Sequence, residues 1–125
     1  MIKIILPFTP RTKKNSQQIF KTPKGQPFIS TSKAYKQYLS DCMPFLTSSV
    51  LPKGINIRMN VKCLYYMPTR RKVDLGNLLA ATCDALTHYR VIEDDNSDIV
   101  AGHDGSRVLY DKECPRTEIY FEVME

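Results

Sequence analysis

The sequence predicts an α+β fold in a single domain, a mixed β-sheet carrying two main helices. Three observations predict it. Ile55, Ile57, Met59, Val61, Cys63 and Tyr65 alternate with Asn56, Arg58, Asn60 and Lys62, the period of a strand with one buried face. Two other segments repeat their apolar residues at helical spacing: Tyr35, Tyr38, Leu39 and Cys42, then Leu75, Leu78, Leu79, Thr82, Leu86 and Tyr89. The 125 residues leave little room for more than one domain, so all of these share one core in a domain spanning 1–125. Strands paired around two helices, rather than a regular strand–helix alternation, make the class α+β.

Taken in order, 2–6 reads as a first strand, closed by Pro7 and Pro10. A polar, basic loop follows over 7–17. Residues 18–21 and 27–30 flank a Thr-Pro-Lys-Gly turn and predict a hairpin. Ser32 stands where a helix N-cap belongs, and Pro44 suggests an end or kink near there. Pro52-Lys53-Gly54 marks a turn before the long strand over 55–67. The second helix is expected from about Asp74 to Tyr89, followed by the acidic loop Glu93-Asp94-Asp95-Asn96-Ser97-Asp98. Short strands near 99–101 and 107–109 come next. A closing strand over 117–123 sets Ile119, Phe121 and Val123 against Glu118, Tyr120 and Glu122.

Composition narrows the function classes. No apolar run approaches the ~18 residues needed to cross a bilayer, and the alternating N-terminus suits a strand better than a signal peptide. A soluble, cytoplasmic protein is expected. Cys42, Cys63, Cys83 and Cys114 are widely spaced with no close pair, which argues against structural zinc. Without a secretory signal a disulfide framework is not expected either, and buried, reduced thiols are the plain reading. The net charge of +5 is unevenly placed. Residues 1–40 hold eight Lys or Arg and no acid, whereas seven acids fall between Glu93 and Glu113. A basic arm and an acidic cluster suggest two tasks, holding a polyanion and holding a cation.

The most informative stretch is 70–95, RRKVDLGNLLAATCDALTHYRVIEDD. On a helix, Asp74, Asn77, Ala81, Asp84 and His88 fall on one side, roughly opposite the leucine stripe. Ten residues at 1.5 Å rise put Asp84 about 15 Å from Asp74, too far to share one ion. Asp74 and Asn77 are one turn apart. Were the acidic loop to double back, Asp94 and Asp95 would join them in an oxygen-rich set suited to Mg²⁺, which activates water for attack on a phosphate. The basic run Arg70-Arg71-Lys72 would clamp backbone phosphates. Plain readings stand beside each of these. Asp74 caps a helix, the acidic loop is a solvated turn, Asp84 makes a structural hydrogen bond, and His88 is a surface histidine.

The pattern RR-x-x-D-L-x-N-L-x-x-A-x-x-D-A-L followed by an acidic pair resembles the RusA family of Holliday-junction resolvases. The basic entry LPFTPRTKKNS, the hairpin and the Ser32-x-x-Tyr35-x-x-Tyr38 helix start fit the same plan. The tail from His103 is similar to the form found in phages and prophages. The resemblance implies a homodimeric endonuclease that binds four-way DNA junctions and cleaves them symmetrically in recombination and repair, with Mg²⁺ or Mn²⁺. It implies catalytic and metal-binding roles for Asp74 and Asp95, with Asp94 as neighbour, while Asn77 is the further ligand that helix spacing sets beside Asp74. DNA is expected on Arg11, Lys13, Lys14, Asn15, Arg70, Arg71 and Lys72. The family's catalytic set is three aspartates and a lysine, and two of its members are replaced: Gly76 stands at the second aspartate and Ala80 at the lysine. Asn77, Asp94 or Asp104 completing a rewired, active site is the expectation carried forward. A catalytically silent junction binder is its alternative, and a protein-binding role for the acidic loop a third.

Overall fold

The computed structural model describes residues 2–11, 17–21, 27–31 and 33–124. The elements run β1 (Ile2–Leu6), β2 (Gln17–Lys21), β3 (Pro27–Thr31), α1 (Lys33–Leu46), β4 (Met59–Met67), α2 (Leu75–His88), β5 (Val100–Gly102), β6 (Arg107–Tyr110) and β7 (Arg116–Val123). The sheet is mixed, as expected. β1 pairs antiparallel with β7, β7 antiparallel with β4, and β4 parallel with both β5 and β6. β2 and β3 form a separate antiparallel hairpin with Lys21 opposite Pro27, matching the expected pairing.

The parallel pairing follows from α2. The helix starts beside the C-terminal end of β4 and ends where Gly54 N–H donates to Arg90 O (2.7 Å), so it runs back along the strand and returns the chain for a parallel crossover. β5 and β6 together make one interrupted edge strand, β5 at the start of β4 and β6 at its end. Side chains fill the interruption. The Asn60 amide accepts from Asp104 N–H (2.7 Å) and donates to Asp104 O (3.0 Å), Cys63 N–H donates to Ser106 Oγ (3.0 Å), and His103 Nδ1 lies 2.8 Å from Val61 O. A carbonyl only accepts, so Nδ1 carries the proton in that bond. The backbone polar groups of β4 are thereby satisfied where ladder bonds are missing.

Both helices cover one face of the sheet. Ile4, Leu6, Val61, Cys63, Tyr65, Ile119 and Phe121 point into the core from the strands. Tyr35, Tyr38, Cys42 and Leu46 meet them from α1, and Leu78, Thr82 and Leu86 from α2. Thr82 Oγ1 donates to Leu78 O (2.9 Å) and takes the Tyr65 hydroxyl at 2.6 Å, so the buried phenol is satisfied. Cys42, Cys63 and Cys83 are buried free thiols and Cys114 is exposed.

Three sequence readings need correction. The long strand begins at Met59, not Ile55: Ile55 makes only an isolated bridge to Ile92, and Ile57 is half exposed. Val123 is 66% exposed because it lies at the sheet's margin, beyond the last core residue of β7. Ala81 is buried rather than on the polar side of α2. Pro44 stands inside α1, whose end follows two residues later at the fully buried Leu46, near the expected place. Burial of that last side chain offsets the hydrogen bond a proline forgoes.

Candidate nucleic-acid interface and active site

Asp74 is positioned by the start of α2. Its backbone is extended, and its Oδ1 accepts from Asn77 N–H (3.1 Å), a true N-cap. The following backbone amides and the helix dipole favour negative charge here. A cavity of about 380 Å³ opens at this point, lined by Asp74, Arg71 and Lys72 together with Thr9, Pro10, Arg11 and Met67. Pro10 is buried and fixes the approach of Arg11, which is exposed. Among the described residues Arg11, Arg70, Arg71 and Lys72 enter no ion pair. The described pairs are Arg116 with Asp111 (2.9 Å) and with Glu118 (2.8 Å). Arg70 rests on the Tyr110 ring, 4.3 Å from its centroid. Lys13, Lys14 and Asn15 lie outside the described residues.

The acidic loop is elsewhere. Asp98 precedes Ile99, whose carbonyl takes Met59 N–H (2.7 Å), so this loop sits at the opposite end of β4 from Met67. Eight steps of ~3.3 Å make those ends roughly 25 Å apart. Asp94 lines a polar depression with Asn56, Glu93, Asn96 and Asp98, and it closes its own turn by accepting from Asp95 N–H (2.9 Å) and Asn96 Nδ2 (3.0 Å). Asp95 lines another depression with Tyr35, Asp84 and His88 on the C-terminal half of α2. There Tyr35 donates its hydroxyl to Asp84 Oδ2 (3.0 Å), and burial, then the carboxylate, pushes the phenol's pKa up. Asp104 is held by Asn60 at the edge of the sheet. Burial pushes the nearby Cys83 thiol up to about 12, with Asp95 and Asp84 adding to it, so it is a neutral donor facing His103 Nε2 at 4.0 Å.

The structure therefore joins Asp74 with Arg11, Arg71 and Lys72, ties Asn77 to Asp74 through its backbone N–H alone, and leaves Asp94, Asp95 and Asp104 in three other places. The Tyr35–Asp84 bond spans 49 residues and has no signal in the sequence. Thr9 and Pro10 read only as loop in the sequence, since nothing in their spacing reveals the wall they share with Asp74.

A model of the family described as Endodeoxyribonuclease RusA matches residues 7–122. The chain belongs to the RusA endodeoxyribonuclease family. Among curated proteins none matches the sequence. The RusA assignment makes Asp74 and its cations the natural place to look for nuclease chemistry, and it allows a test of fit for a divalent ion. Mg²⁺ takes near-octahedral oxygen ligation, commonly one or two carboxylates together with water and phosphate oxygens. Among the described residues, no group of three His, Cys, Asp or Glu side chains can hold one ion. One Asp74 oxygen is occupied by the cap. Gly76 offers no ligand, although a Cβ placed there would lie 3.2 Å from Asp74 Oδ1. A carboxylate at 76 would thus project beside Asp74, and glycine removes it. Among the described residues the cavity lining offers an ion one carboxylate, Asp74, so water and phosphate oxygens would have to supply the remaining ligands.

Proposed function

We propose that this RusA-family chain binds four-way DNA junctions as a homodimer through its basic end, and cleaves them slowly, in recombination and repair. The observation that carries the reading is the cavity in which Arg11, Arg71 and Lys72 face Asp74 at a helix N-terminus with no ion-pair partner among the described residues. Unpaired cations around backbone amides are suited to phosphates, which fix register without reading sequence. Two copies related by a two-fold axis would present two such cavities to a junction of matching pseudo-symmetry.

Hydrolysis takes second place in this reading. Mg²⁺ or Mn²⁺ dependence comes with the family reading and not from the residues as placed. Asp74 is the carboxylate at the phosphate cavity, and Asn77, Asp94, Asp95 and Asp104 are the further candidates for completing a site. Gly76 and Ala80, where a carboxylate and a lysine are expected, account for a low rate. The second reading is a silent junction binder, favoured by the engagement of Asp74 as a helix cap.

One experiment separates them. Purified protein is incubated with a labelled four-way junction and a linear duplex in Mg²⁺, Mn²⁺ or EDTA. Metal-dependent paired nicks in the junction alone support the enzyme, and a retarded but intact junction under every condition supports the binder. Asp74→Asn preserves the cap, since asparagine caps as well as aspartate. It should abolish nicking while sparing or tightening junction binding. Persistent nicking by that variant would move the active site elsewhere.

A further inference from the structure

We propose that the cavity between the exit of β1 and α1 receives an unstacked nucleobase of the bound junction, one that carries an amino group, beside the phosphate held by Arg11, Arg71 and Lys72. The inference rests on the junction-binding reading and adds a base site to it.

The cavity measures about 570 Å³, within the size range of small-molecule sites. Its apolar lining is Phe8, Pro7, Pro115 and Tyr38. Phe8 is well fixed. Its ring meets Tyr38 and Phe45 edge-on, with centroids at 5.9 and 6.0 Å, and its carbonyl accepts from Thr117 Oγ1 (2.8 Å). A rigid aromatic surface of this kind suits base stacking, which is tolerant of sequence.

The rim supplies the selectivity. Gln37 Nε2 donates to Asp41 Oδ1 (2.8 Å) across one turn of α1. Gln37 Oε1 and Asp41 Oδ2 remain as acceptors, and Arg11 supplies donors. A carboxylate here repels phosphate and accepts from an exocyclic amine. Thymine, which has none, is the poorest fit.

Continuity with the phosphate site decides the occupant. Thr9 and Arg11 line both this cavity and the one that contains Asp74. A strand whose phosphate lies against Arg11, Arg71 and Lys72 therefore has its neighbouring nucleotide at the mouth of the Phe8 cavity. Extruding a base costs least where pairing is already disrupted, and a junction's branch point is such a place.

The test uses the full-length protein in EDTA with four-way junctions carrying single 2-aminopurine substitutions around the branch point. This base fluoresces more strongly when it leaves the stack, and it bears an amino group. Wild-type protein should raise the fluorescence at a branch-adjacent position. Gln37→Ala and Asp41→Ala alter exposed side chains, so the fold is spared. They should lose that rise while still retarding the junction. A retarded junction with no rise at any position overturns the base site and leaves junction binding standing. A rise undiminished in both variants places the base elsewhere and also overturns it. If wild-type protein fails to retard the junction at low salt, the junction-binding reading falls and takes this inference with it.

Discussion

In the cavity at the Met67 end of β4, Arg11, Arg71 and Lys72 share the lining with one carboxylate, Asp74, and Arg70 lies nearby on Tyr110. At the Met59 end, Glu93, Asp94 and Asp98 share one depression, with Asp104 and Glu122 both bonded to Asn60. Among the described residues the cations lining that cavity enter no ion pair, whereas Arg116, opposite Tyr66 at the same end, is paired with Asp111 and Glu118. At the second, the Asp94 carboxylate closes its own turn with Asn96, and the Asn60 amide bridges to the Glu122 carboxylate and the Asp104 backbone. Cations left available point outward to a polyanion, whereas acids engaged with their own backbone stabilise a loop. The asymmetry also means that net charge understates the protein. A modest +5 is the sum of two regions with opposite roles.

The sharpest challenge to this contrast is to rebuild the basic end. Gly76→Asp with Ala80→Lys would set a second carboxylate beside Asp74 and a cation further along α2. Metal-dependent junction cleavage should rise on the order of 10²-fold over wild type, the scale associated with one well-placed electrostatic group. Cleavage measured with a labelled junction in Mn²⁺ checks it. No gain, with the fold intact, would mean that the basic end is not where hydrolysis is limited.

A smaller effect separates capping from chemistry at the same end. Asp74→Ala should destabilise the protein by about 1 kcal/mol through loss of the cap, while Asp74→Asn should be nearly neutral. Denaturant midpoints report both. If the two variants are equally stable, the cap contributes nothing measurable.

At the other end, α2 closes with Val91 N–H on Leu86 O (2.9 Å) and Arg90 N–H on Thr87 O (3.1 Å), with Arg90 at φ 58. This is the Schellman arrangement, in which glycine is usual at the left-handed residue. Arg90→Gly should stabilise the protein by roughly 0.5–1 kcal/mol, the strain relieved less glycine's extra chain entropy. Junction binding should be unchanged, because the substitution lies away from the basic end.

The smallest expected effect concerns pH. Glu118 is held below the usual carboxylate range first by the Tyr120 hydroxyl (2.6 Å), then by Arg116. Because its folded pKa is depressed, its stabilisation is present above the unfolded value of about 4.3 and is lost as pH falls through the folded one. Glu118→Gln should flatten the acid limb of the stability curve. An unchanged limb would mean that Glu118 has no part in acid sensitivity.

Much of this is legible in the sequence. Hairpin, helices and closing strand follow from local period and caps, and Asp74 from its place before a leucine stripe. The placement of the acidic loop is not legible. That loop could be expected to fold back on Asp74 because spacing along a chain says nothing about the direction in which α2 returns. The parallel pairing of β5 with the start of β4 carries Asp94 and Asp98 to the far end. Ile57 misleads for a related reason: alternation continues in the sequence, but the ladder to β7 begins only at Met59.

The most direct test of the two-ended molecule is the salt dependence of junction binding for three proteins. These are wild type, Arg71→Ala/Lys72→Ala at the basic end, and Asp94→Asn/Asp98→Asn at the acidic end. The basic-end variant should bind at least about tenfold more weakly at low salt, and its log–log salt slope should fall by about 2, roughly one for each phosphate no longer neutralised. The acidic-end variant should bind as wild type or slightly tighter. Equal affinities and slopes for wild type and the basic-end variant would contradict the claim that this end of the sheet holds the DNA.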